Sequence, residues 1–245
     1  MEIETKNYWE KSTPWAYKQE KLSYIERRKM RYDLQDYMME AIGFDRYSGK
    51  KLLEIGCGAG IDSAEFARNG AHVTAVDFTD NAVSLTRNTL SEAGLTADVM
   101  KCDANNLKFS DNTFDVVYSY GVLHHIPEMD GALKEIIRVL KEEGEGIFMV
   151  YNRDSLLNAY SILYLHRHEG KSEEELASMY SERNMGNPYT RLFSKKGAEE
   201  FFGRYFDEVV VETYYNVIDT EGQRKVKVSA PTDLGWHHII HCRDL

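Results

Sequence analysis

Short runs of apolar residues alternate with longer stretches in which apolar positions recur every three or four residues, and this rhythm predicts the fold. Residues 51–55, 72–77, 97–102, 114–119 and 146–151 read as five strands. Between them the spacing predicts helices over 61–69, 79–93 and 128–141, with Thr79 capping the second and Pro127 suited to the first turn of the third. The third carries Ala132, Leu133, Ile136, Ile137 and Leu140, a stripe wide enough to cover one face of a sheet. A further helix over 22–42, with Leu34, Met38, Ala41 and Ile42 in phase and Gly43 placed to end it, precedes the first strand. Strands alternating with helices of this length predict a doubly wound, mostly parallel α/β sheet with right-handed crossovers.

After Tyr151 the rhythm breaks until Ser194 caps a helix running through Phe201 and Phe202. Within the break, Leu156, Tyr160, Leu163 and Tyr164 are helix-spaced, Ser172 and Glu175 fit a capping box, and Gly186-Asn187-Pro188 reads as a turn. A helical cap over the sheet's ligand edge is expected there. Val209-Val210-Val211 and residues 236–242 supply two more strands, bringing the sheet to seven, with an antiparallel strand at one edge. The expected organisation is one domain, 1–245. It comprises an N-terminal lid and helix (1–45), a cofactor-binding core (46–152), a cap insertion (153–193), and a C-terminal helix with edge strands (194–245).

With 245 residues, 42% of them hydrophobic, the chain can bury one substantial core. No segment approaches the roughly 20 apolar residues that span a bilayer, and the N-terminus lacks a secretory pattern, so a cytoplasmic protein without a membrane partner is expected. A formal charge of −10 disfavours nucleic acid as a partner. The dense basic group, Arg27, Arg28, Lys29 and Arg31, reads as a solvated helix face, as does Glu173-Glu174-Glu175. Cys57, Cys102 and Cys242 show no CxxC spacing and are expected to be reduced thiols. Strand alternation separates His237 and His241 from His238 and Cys242, which argues against a metal site.

The chemistry concentrates at Glu54-Ile55-Gly56-Cys57-Gly58-Ala59-Gly60, the turn after the first strand. In an open α/β sheet, ligands bind outside the carboxyl ends of the strands, and glycines let the backbone approach them closely. The spacing is Gly-x-Gly-x-Gly, not the Gly-x-Gly-x-x-Gly of a pyrophosphate site. Asp77, ending the second strand, is placed to accept from both ribose hydroxyls, and Asp103, after the third, from an adenine amino group. Glu54 and Asp62 flank the turn, which itself holds no basic residue. Acids on successive strand ends favour a phosphate-free, cationic adenosyl ligand, S-adenosyl-L-methionine, over NAD.

These motifs, with Cys102-Asp103-Ala104, Phe114-Asp115-Val116-Val117 and Gly121-Val122-Leu123-His124-His125-Ile126-Pro127, resemble the successive motifs of class I S-adenosylmethionine-dependent methyltransferases over residues 50–151. The resemblance implies that Gly56, Gly58 and Gly60 line the methionine part, Asp77 binds ribose, Phe78 packs on adenine, and Asp103 with Ala104 holds the adenine edge. Tyr120 completes the cofactor-binding set, and S-adenosyl-L-homocysteine would be the product. Tyr8-Trp9, residues 149–153 and Gly235-Trp236-His237 resemble a group of bacterial small-molecule methyltransferases, which carry histidine where this chain has Asn152.

Similar phosphoethanolamine methyltransferases place a catalytic histidine at the position of His124, which reads either as a general base or as a packing residue; His125 reads as structural. Tyr8, Trp9, Trp15 and Tyr17 fit either a lid closing over the site or a terminus packed on the body. Tyr151, Arg153, Tyr160, Tyr164, Tyr189 and Arg191 are candidates to line an acceptor pocket. The expected reaction is methylation of an O or N atom of a small molecule. C-methylation of a quinone-like precursor, a non-catalytic cofactor-binding protein and an NAD-dependent oxidoreductase are the alternatives. The sequence specifies no oligomeric state.

Overall fold

A computed structural model describes residues 2–11, 22–181, 187–219 and 225–244. Helices α1 (Glu2–Lys11), α2 (Tyr24–Leu34) and α3 (Met38–Ile42) precede β1 (Lys51–Ile55), α4 (Ile61–Arg68), β2 (His72–Asp77), α5 (Asp80–Ala93), β3 (Asp98–Lys101), β4 (Phe114–Tyr120), α6 (Met129–Val139) and β5 (Leu140–Tyr151). A π-wound helix, Leu157–Tyr164, and α7 (Glu173–Tyr180) follow. The chain then forms α8 (Lys195–Phe202), β6 (Glu208–Tyr214), a small hairpin of β7 (Val217–Asp219) with β8 (Lys225–Lys227), and β9 (His237–Arg243). The main sheet has seven strands in the order β3-β2-β1-β4-β5-β9-β6. Its first five strands are parallel, and the antiparallel β9 lies between β5 and β6, leaving β6 at the edge.

Both faces of this sheet are buried, which is why its strands read as continuous apolar runs. Successive residues alternate between two cores. Leu53, Ile55, Val117, Phe148, Val150 and Ile240 pack with the stripe of α6 and with Phe201 and Phe202 of α8. Leu52, Val116, Tyr118, Ile147, Met149 and Ile239 pack with Ile42, Phe44 and Phe66. The caps at Thr79, Ser172 and Ser194 form, each side chain accepting from a first-turn amide.

Four local expectations change. The 22–42 helix breaks at Gln35, whose side chain accepts from Arg31 Nη1 and from the Tyr120 hydroxyl, both at 3.0 Å; only α3 reaches Gly43, which ends it at φ +64°. Pro127 precedes the N-cap residue Glu128 of α6 instead of occupying its first turn. α6 ends at Val139, and Leu140 already pairs with Phe114, with a register shift before Glu145 pairs with Val116. The β7–β8 hairpin was not foreseen; each of its strands is only three residues long.

The basic group on α2 is the largest correction. Arg28 grips Glu65 at 2.6 and 2.8 Å, Arg31 grips Asp62 at 3.1 and 2.6 Å, and Arg27 reaches Thr89 and Glu92, each at 3.1 Å. Only Lys29 keeps to an exposed partner, Asp33, on its own helix. Three of the four cations therefore fasten α2 to α4 and α5. Among the described residues no helix is long and apolar enough to cross a membrane.

Asp62 also accepts from the hydroxyls of Tyr32 and Tyr118, at 3.0 and 2.9 Å, so its carboxylate is paired inside the protein. Removing one partner of a buried ion pair leaves the other charge uncompensated. Arg31→Met is expected to destabilise the fold by about 3–5 kcal/mol in urea denaturation, the range for a broken buried pair.

Candidate functional site

The turn from β1 into α4 is built by three glycines in the left-handed region, Gly56 at φ +78°, Gly58 at +52° and Gly60 at +71°. The amides of Gly56 and Cys57 both donate to Val76 O, at 2.8 and 3.1 Å, pinning the turn to β2. A Cβ on Gly56 would fall 2.2 Å from Val122 Cγ2, and one on Gly60 would fall 2.7 Å from Thr86 Cα. At Gly58 no atom of the described residues lies within 4 Å of that position. Two glycines thus make room for the protein and one for something else.

The open side of Gly58 belongs to a cavity of about 380 Å³ at the carboxyl ends of β1, β2 and β4. Of the residues expected around a cofactor, Gly56, Gly58, Asp77, Phe78, Asp103, Ala104 and Tyr120 line it. Asp77 accepts from Gly58 N at 3.2 Å and from the amide and hydroxyl of Thr79 at 3.0 and 2.8 Å. Burial pushes its pKa up, and those hydrogen bonds oppose the rise. Asp103 is exposed, with Oδ1 accepting from Asn105 N at 2.9 Å. Among the described residues no lysine or arginine lines the cavity.

The structure places Glu54, Gly60 and Asp62 behind the turn instead of on the cavity wall. The buried Glu54 accepts from the Ser63 hydroxyl, and burial together with nearby Asp62 raises its pKa to about 8. Asp62 is held by Arg31 and two tyrosines, because the helix that brings Arg31 into range packs directly on α4.

The catalytic candidate shifts as well. His124 is fully buried, and its ring lies 4.1 Å from that of Tyr151. Burial, with His125 and His237 nearby, holds its pKa well below the usual histidine range, and it does not line the cavity. His125, the neighbour read as structural, does. A short helical turn, Leu123–His125, carries the two rings to different surroundings.

Of the acceptor candidates, Trp9 lines the cavity, together with Thr5 from the same helix. Tyr8 packs edge-on against Trp9 at 5.0 Å, outside the wall. Trp15, Tyr17 and Gly186 lie outside the described residues. Tyr151 stacks on Trp236 at 4.3 Å. Arg153 is exposed beside Asp154, and Tyr160 and Tyr164 are exposed. Arg191 lies over the rings of Phe193 and Phe201, at 4.7 and 4.4 Å. Tyr189 meets the site only through its carbonyl, 3.1 Å from His125 Nδ1. Asn152 is a buried staple, its amide donating to the carbonyls of Asp233 and Gly235 at 3.0 and 2.8 Å.

Among the wall residues that sequence reasoning missed are Thr5, Ala82, Asn105, Val122, His125, Ile126 and Glu128. The last four fall in the segment after β4, where their order along the chain does not reveal which side chains face inward. Behind Tyr120, its hydroxyl meets Gln35, Tyr37 and His237 Nδ1, and the Arg31 guanidinium lies 4.5 Å over its ring. Tyr215, in the left-handed region at φ +72°, stacks on His237 at 4.8 Å. His238 pairs with Thr213 at 2.9 Å, and His241 bridges Glu145 and Ala41 O at 3.0 and 2.9 Å. Among the described residues no cluster of three or more metal-ligating side chains occurs.

Residues 53–148 match the family model described as a methyltransferase domain. A ubiquinone biosynthesis O-methyltransferase of Stutzerimonas stutzeri is 32% identical over 117 residues, covering 47% of this chain and 50% of that protein. A sterol 24-C-methyltransferase of Gibberella zeae is 33% identical over 120 residues, covering 48% of this chain and 30% of that protein. The chain spans about half the length of the ubiquinone relatives it matches. Among solved structures, an S-adenosylmethionine-dependent methyltransferase of Methanosarcina mazei superposes with a TM-score of 0.62 at 23% identity, over 82% of this chain and 95% of that one. Another, from Aquifex aeolicus, gives 0.57 at 16% identity, over 88% and 93%. Residues 53–148 thus match a methyltransferase domain, and the fold is that of S-adenosylmethionine-dependent methyltransferases of known structure.

Two outcomes follow from the glycines and the buried acid. Gly56→Ala is expected to lose roughly 1–3 kcal/mol of stability from backbone strain, before the Val122 clash is counted. Gly58→Ala is expected to impair cofactor titration by calorimetry more than Gly56→Ala does. Between its ordinary value of 4.5 and about 8, Glu54 holds a proton in the folded chain that the unfolded chain has released. Stability should therefore fall as pH rises through that window. Glu54→Gln should flatten the fall, as read by thermal unfolding across pH.

Proposed function

We propose that the protein transfers the methyl group of S-adenosyl-L-methionine to an O or N atom of a small-molecule acceptor, releasing S-adenosyl-L-homocysteine. The observation that carries this reading is the cavity wall. It joins a left-handed glycine with open space at its Cβ position to carboxylates on adjacent strand ends, with no lysine or arginine among the described residues of the wall. A cationic ligand without phosphate fits that donor set, and a pyrophosphate does not. When bound, the cofactor supplies a methyl carbon already activated by the sulfonium.

The chain's own residues then bind, orient and exclude water. Asp77 receives the ribose hydroxyls, Phe78 packs on adenine, Asp103 and Ala104 hold its edge, and the Gly56–Gly58 backbone lines the methionine part. Glu54, Gly60 and Asp62 shape the turn from behind. Trp9 and Thr5 make α1 a cover over the cavity, which keeps the reacting atoms dry. Residues 153–193 act as a cap that buttresses the wall, and His124 packs behind it.

The net charge of −10 and the acidic wall support a small molecule over nucleic acid as the partner. Three buried free thiols support a reducing, cytoplasmic setting.

Calorimetric titration is expected to show binding of S-adenosylmethionine and none of NAD. Asp77→Ala should weaken binding by about 1–3 kcal/mol, roughly 5- to 150-fold. Incubation with a low-molecular-weight cell extract and isotope-labelled cofactor should yield a product heavier by one methylene unit. A titration in which NAD binds and S-adenosylmethionine does not would overturn the proposal.

A further inference from the structure

Behind the glycine turn three buried carboxylates, Glu54, Asp62 and Asp77, are 4%, 6% and 9% exposed, and Arg31 is the cation that stands among them. Hydrogen-bond donors are divided unequally between the three. Asp62 accepts twice from Arg31, at 3.1 and 2.6 Å, and once each from Tyr32 and Tyr118. Asp77 accepts from Gly58 N and from the amide and hydroxyl of Thr79. Among the described residues Glu54 accepts only from the Ser63 hydroxyl. Donors thus replace the lost water of Asp62 and Asp77 but not that of Glu54, and a buried carboxyl short of donors keeps its proton. Arg31 favours an ionised Glu54, yet its nitrogens are committed to Asp62 and Gln35.

Glu54 does not line the cavity, but it is followed in the chain by Ile55 and Gly56, which do. Two residues of chain span at most about 7 Å, so a charge held at Gly56 lies within that distance of the Glu54 backbone. Buried charges so close interact with little screening. Around Glu54 stand Ser63 and Asp62 of α4, Arg31 of α2, Asp77 of β2 and Tyr118, its partner in register on β4; Cys57 follows in the turn. Burial and then Asp62 push the Glu54 pKa up to about 8, with Asp77 adding to the rise and Ser63 and Arg31 opposing it.

We propose that Glu54 distinguishes cofactor from product by its proton: it is a carboxylic acid in the empty protein, ionises when the sulfonium-bearing cofactor occupies the cavity, and is reprotonated once the methyl group has left. This rests on the methyl-transfer reading above and adds to it a residue that sets specificity between S-adenosylmethionine and S-adenosylhomocysteine. The two ligands differ by the methyl group and the positive charge on sulfur. As the carbon–sulfur bond breaks, its electron pair stays on sulfur, the sulfonium becomes a neutral thioether, and the attraction that held Glu54 ionised is lost. Cofactor binding therefore puts a proton into water, and formation of product takes one back. Cofactor affinity should rise with pH and level off near pH 8, where the empty protein has already released the proton. Product affinity lacks that dependence.

Calorimetric titration at neutral pH in phosphate and in Tris, whose heats of protonation differ, counts the protons exchanged on binding. The unaltered protein should release more protons on binding S-adenosylmethionine than on binding S-adenosylhomocysteine. Below the levelling point, the ratio of product to cofactor dissociation constants should rise by up to about tenfold per pH unit. Glu54→Gln, which keeps an acceptor for Ser63, should abolish the excess release and flatten that rise. Equal release with the two ligands, or an excess that survives Glu54→Gln, overturns the proposal. Ser63→Ala is the second variant: loss of the donor raises the Glu54 pKa, so the pH at which the excess fades should move up. A pH that stays in place also overturns the proposal. A protein that binds neither ligand defeats the methyl-transfer reading itself, which separates the two failures.

Discussion

The buried carboxylate of Asp62 is the constraint on which the site's shape depends. Standing in the first turn of α4, it accepts from Arg31 twice and from Tyr32 and Tyr118 once each, so one side chain joins α2, α4 and β4. A buried charge is tolerated only when its partners replace the water it has lost, and this set does so. The geometry extends outward from there. Arg31 lies over the Tyr120 ring and donates to Gln35, which in turn accepts from Tyr120, so the wall residue is aimed by the ion pair behind it.

The glycine turn divides its work in a similar way. Gly56 and Gly60 are glycines because Val122 and Thr86 occupy the space a side chain would need. Gly58 is glycine although no atom of the described residues crowds it, and its amide donates to Asp77 on the cavity wall. The turn is thus fixed to the sheet on one side and open on the other, which preorganises it for a ligand.

The segment that returns towards α8 stands behind the histidine turn. None of the described residues among 153–193 lines the cavity, yet Asn187, Tyr189 and Thr190 meet His125, and Arg191 N donates to His124 O at 2.9 Å. On the neighbouring flank Tyr215 adopts a left-handed backbone that costs a bulky residue of order 1–3 kcal/mol, and its ring braces His237. Strain of this kind persists where the surroundings over-determine it.

The sequence by itself determined the five parallel strands, their helices, the caps at Thr79, Ser172 and Ser194, and the glycine turn with Asp77 and Asp103 at neighbouring strand ends. Those signals are local: a periodicity, a cap or a left-handed glycine is complete within a few residues of chain. Tertiary structure alone decided that Arg31 serves Asp62 instead of solvent, that the helix over 22–42 breaks at Gln35, and that His125 faces the cavity while His124 does not. These outcomes join residues 31 positions apart in the ion pair, 85 between Gln35 and Tyr120, and 62 between His125 and Asn187. Adjacent histidines have the same composition and almost the same sequence neighbours. Which ring points inward depends on the turn that carries them and on what packs behind it, and that is settled only when distant segments meet.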